Sequence, residues 1–394
     1  MFSVFVSCTS EKESSDEQSD GLEIIKIDLS EAREGKLSEF FEPEIEYIWL
    51  KDDSEDAQLS GGLHKIIFHE DKILTLDIFG CHCIKIFDKS GNYLSKIRAY
   101  GEGPGKYLDL DNFIVVNDEV LVLGVYPPKL MWFSFEGDLL REEKLKSSLT
   151  AGVFLESTNR HYFFKAHHQA EDFLVLSFNS SFKDTTFYFP KKTDQYYGNY
   201  SSRDNFIDNS EEVYFSMAFQ DTIYKLEENV YAPKMVLDFG NYGQDISEYK
   251  MKMDDLETME RMDFINKKAK LHFVPNFWFV TERYFYSDFR FEGRMFNVIF
   301  DRKTQKTEVL DYGIINDLDE GYNPHLFNYR YDENKVGLRI SGKDLYEILE
   351  KKKEELGPEA FEEYIKGKGK NLAQAAYAAK DSENPVLIIY TPKK

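Results

Sequence analysis

Apolar and polar residues alternate along most of this chain in short runs, each closed by a polar or glycine-bearing turn. An aromatic residue ends such a run at Phe87 (IKIFDKSGNY), Phe133, Phe178 and Tyr224, and again at Phe300 and Tyr390. The first four of these anchors stand about 46 residues apart. Period-two alternation marks half-buried strands, and a repeat of that length built from short strands is the signature of a β-propeller blade. Six anchors predict an all-β fold, a six-bladed β-propeller with two helical insertions on one face.

The helical insertions follow from the last two intervals, which overrun one repeat by roughly 30 and 44 residues. Gln244–Leu271 places Ile246, Tyr249, Met253, Leu256, Met259 and Met262 at helical spacing. Ser341–Asn384 reads as helical too, with Gly357-Pro358 as a break between two helices. In the first blade the strands read as A Leu63–His69, B Lys72–Phe79, C His82–Phe87 and D Tyr93–Tyr100. Antiparallel strands reverse direction, so the A–B and C–D turns share one face and the B–C and D–A connections the other. Both insertions and the loop Gly101–Lys106 fall on the second face, which is therefore the expected working face. The chain stops soon after strand C of the last blade. Glu44–Lys51, with Ile45, Tyr47 and Trp49 alternating, is predicted to supply the missing outer strand and so remove an exposed edge. The domain reading is a leader and flexible acidic tether over 1–38, then one propeller over 39–394.

Composition narrows the function classes. The 33 Phe and 25 Tyr suit half-buried strands, and 71 acidic against 49 basic residues give a net charge of −22. Such a surface repels phosphate backbones, which argues against nucleic-acid binding and against docking on anionic membranes through a basic patch.

At the amino terminus, MFSVFVSC sets a small residue before Cys8 after an apolar run, as in a bacterial lipoprotein cleavage site. Cys8 is the expected lipidated residue. The segment before it is too short for a working signal peptide and lacks a basic start. Either the true start lies upstream of Met1, or the match is coincidental and the segment is a disordered cytosolic tail. The first reading places the protein in the bacterial cell envelope, held by a lipid anchor. Cys81 and Cys83 lie two apart in one expected strand, and no disulfide is predicted between them.

Few constellations carry chemistry. Gly101-x-Gly103-x-Gly105 lacks a following helix and reads as a structural turn rather than a phosphate cradle. Cys81-His82-Cys83 reads as core packing, with His82 facing away from both sulfurs. No Gly-x-Ser-x-Gly elbow or His-Glu-x-x-His motif occurs. Polar residues recur where strand A begins: Asp111, Asn112, Asp204, Asn205 and Asn276 could ring the channel mouth and hold Ca²⁺ through oxygen atoms. The alternative is that each Asn satisfies the loop backbone. Loop-face candidates for ligand binding are Tyr126, Lys129, His167, Arg203, Arg290, Arg294 and His325, a mixture suited to sugar rings, peptides or a partner protein.

The run FDKSGNYLSKIRAYGEGPGKY, the terminal ENPVLIIYTPKK after a charged helical insertion, and the Cys8 leader resemble the six-bladed β-propeller lipoproteins of Gram-negative anaerobic gut bacteria, which are NHL-repeat-like. The resemblance implies a propeller fold and an envelope location, and carries no catalytic residues over. The expected function is non-catalytic binding of a glycan, peptide or envelope protein through the helix-decorated face, with no cofactor. Two alternatives remain: a metal-dependent lactonase- or lyase-type enzyme with Ca²⁺ at the channel mouth, and a scaffold subunit of a surface assembly.

Overall fold

The computed structural model describes residues 21–165, 173–193, 195, 197, 204–209, 212–227, 230–267, 269–272, 277–325 and 327–394. The chain is mostly β and forms six separate sheets, none closed on itself. In chain order the strands of each sheet are called A to D. Sheet 1 comprises Leu63–His69, Lys72–Asp77, Cys83–Asp88 and Tyr93–Ile97. Sheet 2 runs from Asp109–Val116 to Leu139–Lys144, and sheet 3 from Ala151–Leu155 to Thr185–Pro190. Sheet 4 runs from Phe206–Asp208 to Val230–Asp238. In sheet 5 strand A is split into Leu271–His272 and Trp278–Val280, and strand D is Lys306–Ile315. Sheet 6 contains Tyr329–Arg330, Val336–Ser341 and Pro385–Tyr390. Every aromatic anchor, from Phe87 to Tyr390, lies in strand C of its own sheet.

Three strands come from the amino-terminal segment: β1 (Glu23–Lys26), β2 (Arg33–Lys36) and β3 (Glu46–Trp49). β3 pairs antiparallel with Pro385–Tyr390, setting Trp49 opposite Val386 and Tyr47 opposite Ile388, and so forms the outer strand of sheet 6. β1 adds parallel to the outer strand of sheet 4, and β2 parallel to that of sheet 5. Residues 21–38 are therefore not part of a tether, which corrects the reading of 1–38. Ile25 and Leu37 have no exposed surface, and burying two such side chains outweighs the polar flanks that made the segment look solvated.

Helix α1 (Leu37–Phe40) joins β2 to β3. The first insertion forms α2 (Ile246–Asp254) and α3 (Thr258–Lys267), with Asp245 capping α2 through the Ser247 and Glu248 amides. Its Tyr249, Met253 and Ile265 pack on Phe219, in the B–C connection of sheet 4. Met259, placed on the apolar face by its spacing, is instead 75% exposed. The second insertion forms three helices, not two: α4 (Gly342–Leu356), α5 (Pro358–Lys366) and α6 (Lys370–Ala379). Pro358 opens α5 as expected, but Gly367–Gly369 breaks the chain a second time, and Gly369 leaves no room for a side chain against the Tyr364 ring. Tyr364 Oη donates to the Asp319 carbonyl, and Lys352 and Lys368 both reach Glu320, so this insertion rests on the D–A connection between sheets 5 and 6.

The loop Gly101–Lys106 behaves as a structural turn. Gly101 and Gly103 take φ of 139° and 108°, which a side chain rarely tolerates. Tyr107 closes the turn, fully buried, its amide bonded to the Ala99 carbonyl and its hydroxyl donating to the His82 carbonyl at 2.7 Å.

Candidate functional site

The best-built surface feature is the B–C connection of sheet 1. Strand B ends at Asp77, two residues before the expected Phe79, because the buried Asp77 carboxylate turns back to organise the loop. It accepts from Ser60 Oγ at 2.7 Å and from the Gly80 amide at 2.7 Å. Burial works to raise this carboxyl, but the Ser60 and Gly80 hydrogen bonds outweigh it and hold it below the usual value. His82 adopts φ of 50°, a left-handed conformation that folds the backbone between the flanking cysteines.

Cys81 and Cys83 are joined as a disulfide with their Cα atoms 5.2 Å apart, which corrects the expectation of two free thiols. The expectation failed because Cys81 lies in the turn before strand C, not in the strand, so strand geometry does not hold the sulfurs apart. The pinned loop presents its rings outward. His82 stacks on Tyr100 with centroids 4.5 Å apart, Arg98 lies over the same tyrosine at 5.7 Å, and Phe79, 74% exposed, meets His64 edge-on at 4.7 Å. Phe79 and Tyr100 were missed as candidates because each reads as the last residue of an expected strand; the Gly immediately after each was the available signal.

Towards the inner strands lies a polar network. Lys65 Nζ donates to Asn112 Oδ1 at 3.1 Å and to the Phe113 carbonyl at 3.2 Å, and stands 3.9 Å from Asp204 Oδ1. Asn112, fully buried, donates to the Thr150 carbonyl at 2.9 Å, and Asn205 donates to the Ser216 carbonyl at 3.0 Å. The oxygen atoms considered for Ca²⁺ at Asn112 and Asp204 thus face a lysine ammonium, and the amide groups serve the backbone. Asp111 sits half-buried in strand A of sheet 2. Among the described residues, no cluster of three His, Cys, Asp or Glu side chains could hold a metal ion. From sheet 6, Arg330 reaches Asn209 Oδ1 in sheet 4 at 3.0 Å and also the Asp208 carbonyl; burial lowers its guanidinium from the ordinary value.

The expected ligand-binding residues do not form one cluster. Tyr126 is 64% exposed at the end of strand B of sheet 2. Lys129, by contrast, is buried and bonded to Glu142 at 3.0 Å, a cross-strand pair rather than an open cation. Arg290 sits half-buried with Nε towards Met295 Sδ, and Arg294 pairs with Asp311 at 2.6 Å on the surface. His325 stacks on Tyr312 at 4.4 Å. Arg294 and His325 meet only through the adjacent residues Asp311 and Tyr312: Asp311 pairs with Arg294 and accepts from the Tyr312 amide, and Tyr312 stacks on His325. Cys8, His167, Arg203 and Asn276 lie outside the described residues.

Strand B of sheet 5 (Tyr284–Phe291) carries a second titratable group. Asp288 is buried, and that burial pushes its carboxyl up to about 7 against the Arg290 charge and the Phe277 amide. No described helix is long and apolar enough to cross a membrane.

Comparison with solved structures supports the fold. A Bacteroides fragilis protein named as exported aligns over 94% of this chain and all of its own, with a TM-score of 0.73 at 17% identity. A member of the DUF4221 family from Bacteroides vulgatus aligns over 90% of this chain and 97% of its own, with a TM-score of 0.50 at 8% identity. No curated protein matches the sequence. Residues 22–391 match the family described as "Domain of unknown function (DUF4934)", and the chain belongs to that family.

Proposed function

We propose that this chain is a six-bladed β-propeller of the bacterial cell envelope that binds a glycan, without catalysing a reaction, through the face made by its B–C and D–A connections. The observation that carries this reading is the disulfide-pinned loop of sheet 1, which holds the His82–Tyr100 stack and the exposed Phe79 ring in place before any ligand arrives. Flat rings with an adjacent guanidinium suit sugars, whose C–H faces stack on aromatic surfaces while their hydroxyls accept hydrogen bonds. Preorganisation lowers the entropy cost of binding.

Several facts support the architecture. Six consecutive sheets each follow the same A–D order, and the strand A of sheet 3 packs against those of sheets 2 and 4. Likewise the strand A of sheet 6 packs against that of sheet 1. Ring closure through β3 would cover the edge of Pro385–Tyr390 and complete sheet 6 with a strand from the amino-terminal segment. The envelope location draws on the Cys81–Cys83 disulfide, which persists in oxidising compartments, and on the exported B. fragilis neighbour. Lipidation at Cys8 belongs to the same proposal. A lactonase- or lyase-type site would require a metal to displace Lys65 from Asn112, and nothing in the network favours that.

The test is a polysaccharide binding panel with the wild-type protein, Phe79→Ala and Tyr100→Ala. Removing one stacking ring is expected to weaken the best glycan by about ten-fold, near 1.4 kcal/mol. Full affinity in both variants overturns the site, and capture of an envelope protein with no glycan bound would favour the scaffold reading.

A further inference from the structure

A cavity of about 420 Å³ opens in the seam between sheets 2 and 3, away from the sheet 1 loop. Its apolar wall comes from Leu145, Leu149, Leu176, Phe178, Phe182 and Phe187. Lys144, Lys146 and Lys165 line the same cavity, against Glu143 as the acid among its lining residues. In a chain of net charge −22 this is a local reversal of sign over an apolar surface. Lys165 is only 5% exposed, and burial followed by the nearby Lys191 charge lowers its amine from the ordinary value.

The wall behind the cavity adds no competing charge. Phe182, held at φ of 56° in the turn between strands C and D of sheet 3, packs against Trp132 at 5.2 Å and His161 at 5.1 Å. Burial holds His161 down at about 4, with the Arg141 charge acting the same way, so its imidazole is neutral near pH 7. Phe187, 53% exposed, stands at the rim, where a lipid-like chain would cover it.

We propose that this cleft binds a hydrophobic monoanion, a carboxylate with an aliphatic or aryl body, with its charged head at Lys144, Lys146 and Lys165 and its body along Leu176, Phe178 and Phe187. The volume falls within the range of small-molecule pockets and would hold a chain of about a dozen carbons. The apolar wall supplies affinity through area removed from water, and the lysines select the sign of the head group.

Isothermal titration of the full chain with dodecanoate, dodecan-1-ol and dodecylammonium tests this. Dodecanoate is expected to bind at one site, the alcohol about ten-fold more weakly, and the ammonium more weakly still. Lys144→Glu combined with Lys146→Glu, both at exposed positions, should weaken dodecanoate about ten-fold and leave the alcohol unchanged. Phe187→Ala should weaken both. Equal affinity for dodecanoate and dodecylammonium overturns the proposal, as does absence of dodecanoate binding. So does undiminished dodecanoate affinity in the double variant.

Discussion

Arg302 donates through Nε and Nη2 to the two carboxylate oxygens of Glu23, at 3.0 and 2.9 Å, tying β1 to the turn between strands C and D of sheet 5. Both side chains are mostly buried, and a third donation from Arg302 to the Thr281 carbonyl fixes the guanidinium plane. One planar fork therefore fastens the start of the chain across the seam between sheets 4 and 5.

Glu23→Ala should destabilise the protein by about 2–4 kcal/mol, since it leaves Arg302 desolvated without its partner. Deleting residues 1–38 should cost more, because Ile25, Ile27 and Leu37 lose their burial and the edges of sheets 4 and 5 are uncovered. Chemical denaturation measures both. A deletion variant with unchanged midpoint would show that β1 and β2 contribute nothing.

Asp288 gives a pH dependence of definite sign. Its folded pKa of about 7 lies above the unfolded value near 4, so between these limits the folded state holds the extra proton and stability falls as pH rises. Below the lower limit both states are protonated and the penalty vanishes. Asp288→Asn should remove this slope, leaving a variant more stable than wild type at pH 8 by a few kcal/mol at most and nearly equal at pH 4. Parallel stability curves for the two proteins would contradict the assignment.

Breaking the Cys81–Cys83 bond should loosen the sheet 1 loop more than the whole molecule. The closed loop is short, so Cys81→Ser is expected to cost only about 1–2 kcal/mol of global stability. Amide exchange at residues 78–83 should accelerate while strand B stays protected. Thiol counting before and after reduction checks the bond itself.

Lys65 offers a test at the inner strands. Lys65→Ala leaves the Asn112 and Phe113 oxygens without their ammonium donor, and a loss of about 1–3 kcal/mol is expected. Added Ca²⁺ should leave the melting temperature of the wild type unchanged. A clear stabilisation by Ca²⁺ would reopen the metal-dependent reading.

Strand content and spacing were legible in the sequence because period-two alternation and a closing aromatic are local signals, and every anchor but Tyr224, which sits inside Thr222–Glu227, ends or nearly ends a strand C. Gly357-Pro358 was legible for the same reason. β1 and β2 were not: EIIK and REGK are too short to show alternation, and they become strands only by pairing with edges more than 200 residues away in the chain. The candidate site was only partly legible. Lys129 looked like an open cation until Glu142, its cross-strand neighbour, was placed 3.0 Å from it.

By itself, then, the sequence determined the acidic character, the six strands carrying an aromatic anchor and the two helical segments, all properties of neighbouring residues. Tertiary structure decided which polar groups are already satisfied. Asn112 and Asp204 are 92 positions apart in sequence, and only the packing of inner strands brings Lys65 between them. A left-handed backbone at His82 likewise decided that two cysteines close a disulfide and turn a ring pair outward. The physical reason is common to both: a side chain's chemistry depends on what desolvates and bonds it, and those partners come from distant segments or from a single dihedral that alternation does not encode.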